Sequence, residues 1–196
     1  MKKKKNFDLK KQYAESLEFI KESKKFIYLI IILFFIFSLI GFFVPTPEDL
    51  RIKIIDFIKD LIEKTEGMSS SELVKFIFLN NLQSSFFAMV FGVFLGIFPI
   101  FMIIVNGYVL GFVALISVET NGLLILWRIL PHGIFELPAI FISAGLGLKL
   151  GTFIFQKKKI KSFNEFFLKS LKVFLLIVLP LLIIAAIIEG ILISFF

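Results

Sequence analysis

The chain has 196 residues, of which 58% are hydrophobic and 28 are Phe, and it carries a formal charge of +7 with no cysteine. Ordinary globular domains are about 45–50% apolar, and the excess here cannot be buried in so small a core, which excludes a soluble domain and predicts an all-α, polytopic transmembrane helical bundle. The missing cysteine excludes a disulfide framework, thiolate metal sites and a cysteine nucleophile; the lysines lie beside apolar runs, which points to anionic headgroups and membrane orientation, not to nucleic acid.

Residues 1–25 are charged and hold no long apolar run. They begin like a signal peptide, but the apolar segment starts too late and runs too long for one. A cytoplasmic amphipathic helix is expected, with Tyr13, Leu17 and Ile20 on its apolar face. Residues 26–44 form the first span, uncharged and close to the roughly 20 residues needed to cross. Pro45 and Pro47 end it. An amphipathic helix over 47–66 follows, with Thr46 as its N-cap, Glu48 and Asp49 at the positive dipole end, and a stripe of Leu50, Ile54, Ile58, Leu61 and Ile62. It is expected at the extracytoplasmic surface, as an interfacial helix or a cap on the bundle. Ser69 and Glu72 start the next helix, whose span is read as 76–98. It contains Asn80, Asn81, Gln83, Ser84 and Ser85, then Gly92 and Gly96 at GxxxG spacing. Pro99 marks a turn before the third span, 101–118, which holds Asn106, Gly107 and Gly111. The fourth span is read as 123–150 and the fifth as 171–194, with a basic loop at 156–161 between them. By the positive-inside rule the N-terminus and that loop are cytoplasmic, and the C-terminus is extracytoplasmic.

The stretch 128–151 is the densest in chemistry. Arg128, His132 and Glu136 are spaced by four, so on a continuous helix they share a face. A charged side chain at mid-bilayer costs at least about 2.5–3.5 kcal/mol, so these residues should face a protein interior or a wet cavity. Pro131 and Pro138 are expected to interrupt the helix. Gly133 lies in the polar part, and Gly145, Gly147 and Gly151 form a small-residue face for close packing. Arg128 and Glu189 fall near one membrane boundary and are expected to pair. His132 and Glu136 lie deeper, within reach of Asn106, and Asn80 and Asn81 are read with them as a polar core. Gly92, Gly96, Gly107 and Gly111 are read as helix-packing positions. Catalysis is not expected: HExxH is absent, one His cannot build a zinc site of three protein ligands without several carboxylates, and no P-loop, Rossmann or GxSxG pattern occurs. No cofactor is expected.

With these residues in view, the chain resembles the stage II sporulation protein M family. The resemblance rests on Asn80-Asn81 before a glycine-bearing span, on Asn106-Gly107 with Gly111, and above all on the string from Leu130 to Ala139, PHGIFELPA after its Leu, followed by the glycines at 145, 147 and 151. The segment from Ala185 to Glu189 is similar to the family's last span. The resemblance implies five spans and an integral membrane scaffold; the sporulation member partners cell-wall-degrading proteins during engulfment of the forespore. The expected partners are the lipid bilayer, other membrane or envelope proteins and a further copy of this chain. A transporter or permease-like subunit using Arg128, His132, Glu136 and Glu189 is the rival reading. A water-filled cavity reaching His132 and Glu136 favours transport, and a solid, internally paired interior favours the scaffold.

Overall fold

The computed structural model describes residues 8–195, with side chains throughout except those of 127–135 and 189–195. The described residues are helical with short connections: α1 (Leu9–Phe43), α2 (Glu48–Thr65), α3 (Ser70–Val90), α4 (Ile97–Asn121), α5 (Leu126–Gly151), α6 (Lys159–Val173) and α7 (Leu179–Phe195). Five stretches are long and apolar enough to cross a membrane: α1, α3, α4, α5 from Glu136 onward, and α6 with α7. The expected five-span helical bundle is therefore the observed architecture.

The amphipathic helix and the first span are one continuous element. Helix α1 runs unbroken for 35 residues, roughly 52 Å at 1.5 Å per residue, so its charged first half projects beyond a hydrocarbon core of about 30 Å. Nothing in Lys21-Glu-Ser-Lys-Lys25 is a helix breaker, so the helix simply continues. The face that packs on the bundle is a different one from the apolar face of Tyr13 and Leu17. Tyr13 and Leu17 are exposed, while Ser16, Phe19, Ser23, Ile27, Ile30 and Phe34 are buried. The serines are small enough to admit neighbouring helices. Their hydroxyls donate to carbonyls one turn back, Ser16 to Gln12 at 2.9 Å and Ser23 to Phe19 at 2.6 Å, so burial leaves neither unsatisfied.

Helix α2 begins one residue later than expected, with Pro47 in the cap position. Thr46 instead shares a hydrogen bond of 2.9 Å with the Tyr108 hydroxyl, which ties the end of α1 to α4. Only Ile54 of α2 is fully buried, while Leu50, Ile52, Phe57 and Ile62 stay exposed. The α3 start is as read: the Glu72 carboxylate accepts the Ser69 N–H at 2.8 Å.

The α3–α4 turn comes earlier than Pro99. Helix α3 ends at Val90, a 3₁₀ turn covers Phe91–Val93, and Gly96 caps α4 at φ 72°. That left-handed conformation suits a residue without Cβ. Leu95 shares it at φ 58°, where an L side chain is strained. Pro99 falls in the first turn of α4, where a backbone N–H has no helical partner to lose. Gly92 and Gly96 are thus not a pair on one helix; they bracket a turn.

Helix α5 runs through both Pro131 and Pro138, so neither interrupts it. Membrane helices tolerate such prolines where neighbours re-satisfy the freed carbonyls. Between α6 and α7 the helix continues through a π turn, Phe174–Val178, just before Pro180. Pro180 has no N–H and its ring collides with the carbonyl four residues back, so widening the preceding turn relieves the clash.

Helix α5 is the central post. Of its most apolar stretch, 67% of residues are buried, against 22% to 28% in the other four spans. It packs on α1, α3, α4, α6 and α7, whereas consecutive α3 and α4 meet mainly near their connecting turn.

Candidate functional site: the central helix and its charged foot

Two glycine seams set the spacing of the bundle. In the first, α1 and α4 run parallel. A Cβ on Gly107 would meet the Phe34 carbonyl, one on Gly111 the Ser38 carbonyl, and one on Gly41 the Tyr108 carbonyl. In the second, α3 and α5 run parallel. A Cβ on Gly147 would meet the Ala88 carbonyl, one on Gly92 the Gly147 backbone, and one on Gly151 the backbone of Gly92 and Leu95. Gly145 lies against the Ile27 backbone, closing α5 onto α1. Backbones this close exclude water and gain dispersion contact along the seam, which is the main attraction available between helices already in lipid.

The polar part of α5 occupies its other half. Arg128, His132 and Glu136 stand on successive turns of one continuous helix, as the spacing implied. The side chains of Arg128, His132 and Glu189 lie outside the described residues, and so does the expected Arg128–Glu189 pair. Glu136 is partly buried. The expected contribution of Asn106 to an interior polar core is corrected: Asn106 is exposed on α4. Gly107, the next residue, faces α1, and one residue along a helix is about 100° of rotation at 3.6 residues per turn, which turns Asn106 outward. Asn80 is likewise exposed and Asn81 partly buried, while Ser85 is buried. The inward face of α3 is therefore Ser85, Ala88 and Met89, not the asparagines.

The sequence reading missed a charged foot at the basic end of the bundle. Lys149, near the end of α5, is 7% exposed. Its ammonium donates to Glu22 Oε2 at 3.1 Å and lies 3.9 Å from the centre of the Phe19 ring, with Phe166 at 5.6 Å on α6. The carboxylate neutralises the cation and the ring faces supply further attraction, so a lysine deep in the bundle stays compensated. Around it, Lys172 donates to Glu15 at 2.7 Å and Lys169 to Glu165 at 2.8 Å. Glu15, Ser16, Glu18, Phe19, Glu22, Lys169 and Lys172 line a crevice of about 140 Å³ there. The Lys149–Glu22 pair joins α5 to α1 and the Lys172–Glu15 pair joins α6 to α1, at the level where the apolar spans begin, while Lys169–Glu165 lies within α6. The available signal was Lys149 itself, a lone charge inside the run from Gly145 to Gly151. Its partner, some 127 positions away, could not be read from local pattern.

Ser85, Ser143 and Ser170 are buried without a hydrogen-bond partner among the described residues. Each sits on a different helix, where a small side chain permits close packing. Groups of three or more His, Cys, Asp or Glu able to hold a metal ion do not occur among the described residues.

The family model described as Stage II sporulation protein M matches residues 30–192 of the chain. Two proteins of Methanocaldococcus jannaschii are similar to it. Uncharacterized protein MJ0706 is 31% identical over 208 aligned positions, covering 94% of this chain and 86% of its own length. Uncharacterized protein MJ0793 is 36% identical over 118, covering 58% of this chain and 66% of its own length, a little under two thirds. No solved structure matches the chain.

Proposed function

Because the chain belongs to the stage II sporulation protein M family of membrane proteins, we propose that it is a non-enzymatic membrane scaffold that holds partner proteins of the membrane or envelope at the bilayer. The observation that carries this reading is the backbone-on-backbone seam of α5 against α3 and α1. A conduit needs a wetted path and helices that shift. Helices locked at carbonyl contact through Gly92, Gly147 and Gly151 make a rigid post, which suits a holder of other chains. The surfaces left for partners lie at the two ends. One is α2, whose flanks expose Leu50, Ile52, Phe57 and Ile62. The other is the projecting half of α1. With the N-terminus and the 156–161 loop cytoplasmic, α2 presents itself on the extracytoplasmic side.

The rival, a transporter using the intramembrane Arg128, His132, Glu136 and Glu189, is tested directly in proteoliposomes carrying an internal pH indicator. The scaffold reading predicts proton flux at the level of empty liposomes, unchanged by Glu136→Gln. Flux above that level and lost in Glu136→Gln contradicts it.

A further inference from the structure

We propose that Asn106 is the hydrogen-bonding centre of an interface between two copies of this chain within the bilayer. The proposal needs the chain to span a membrane but is independent of the scaffold reading.

Depth comes first. Gly107 packs against the Phe34 carbonyl, so Asn106 lies level with the middle of the α1 span. At 1.5 Å per residue Phe34 is roughly 14 Å from the level of Lys25 and roughly 16 Å from that of Pro45, which together make up a hydrocarbon core of about 30 Å. Asn106 is therefore near the bilayer centre. Direction comes second. Asn106 is exposed, although Gly107 beside it is buried against α1. Among the described residues its amide makes no side-chain hydrogen bond. Lipid tails offer neither donor nor acceptor, and an amide left unpaired in hydrocarbon is costly.

An Asn side chain both donates and accepts. Placed against its own image across a two-fold axis, it satisfies both needs at once. This is the self-complementarity that a two-fold interface requires, and a single polar position in an apolar helix also fixes the register of the pair. Asn80 lies at nearly the same depth but in a more polar setting. The most apolar stretch of its helix has a mean hydropathy of 1.4, against 2.3 for that of α4, and it shares its turn with Gln83 and Ser84. Asn106 is the isolated amide.

The absence of native cysteine makes the test clean. Full-length Asn106→Cys is reconstituted in liposomes at low protein density and oxidised, beside Ile32→Cys and Leu175→Cys, which are 54% and 53% exposed on other faces. The proposal predicts a disulfide-linked dimer for Asn106→Cys and little for the other two. It further predicts that Asn106→Leu lowers the dimer fraction, read by energy transfer between labelled copies, by about tenfold in equilibrium constant, while Asn106→Gln retains it. Equal cross-linking at all three positions, or an Asn106→Leu protein that dimerises like the native one, overturns it. So does cross-linking of Asn106→Cys in native membranes only to a different protein.

Discussion

Single atoms decide the spacing of this bundle. Gly147 meets the Ala88 carbonyl where any Cβ would have to go, and backbone cannot yield as a side chain end does. Gly147→Ala is expected to destabilise the detergent-solubilised protein by about 1–3 kcal/mol, the usual range for overpacking a well-filled core, read as a lower thermal midpoint. The Lys149–Glu22 pair sets a second test at the same scale. Removing one partner of a fully buried pair costs about 3–5 kcal/mol. Glu22 is 49% exposed, so water screens part of that, and Glu22→Ala is expected to cost about 1–2 kcal/mol. Adding Lys149→Met should recover part of the loss, because the uncompensated cation goes with it. A double-mutant cycle in detergent measures the coupling, and strictly additive losses contradict the pairing.

At the scale of whole elements, the joint between α6 and α7 has a readable logic. Ser170, Phe174, Val178, Leu182 and Ala186 are all buried, a repeat of four. A regular helix drifts about 40° with each such step at 3.6 residues per turn, enough to carry the later residues off the buried face. The π turn at Phe174–Val178 takes up extra chain and resets the phase. A π bulge amounts to one residue inserted in an α-helix, so deleting Leu176 should close it while leaving both flanks in register. We expect that deletion to give a monodisperse, folded protein by size-exclusion chromatography. Deleting Phe167, in regular helix, should rotate every later residue by about 100° and abolish that peak. The five spans were legible in the sequence because each is a long apolar run, and the α3 start because Ser69 and Glu72 cap it chemically. The continuity of α1 was hidden by a change of composition at Lys25 that is not a change of conformation. The outward turn of Asn106 was hidden for another reason: α4 is apolar all round, so no hydropathy contrast marks which side faces α1. Only the Gly107–Phe34 contact reveals it. Likewise Gly92 and Gly96 were legible as close-packing positions but not as a turn, since their partners on α5 are remote in sequence.

For the molecule as a whole, α5 joins the two halves of the account. Its basic-end half is locked to α1 and α3 by glycine contacts and anchored by Lys149, and its other half carries the family's polar string. Around this post the remaining helices leave α2 almost unattached, an amphipathic helix with apolar flanks uncovered by the chain itself. The central claim, that the protein is a membrane scaffold for other proteins, is tested most directly by affinity capture of the tagged full-length chain from its native membrane after mild chemical cross-linking. The capture is run beside a Leu50→Ser/Phe57→Ser/Ile62→Ser variant, which removes the apolar flanks of α2 but spares buried Ile54. The account predicts one or a few membrane or envelope proteins enriched with the native chain and reduced at least about fivefold with the variant at equal expression, a loss of roughly 1 kcal/mol of binding. Enrichment of nothing above an untagged control, or of the same proteins at equal yield in both, would contradict it.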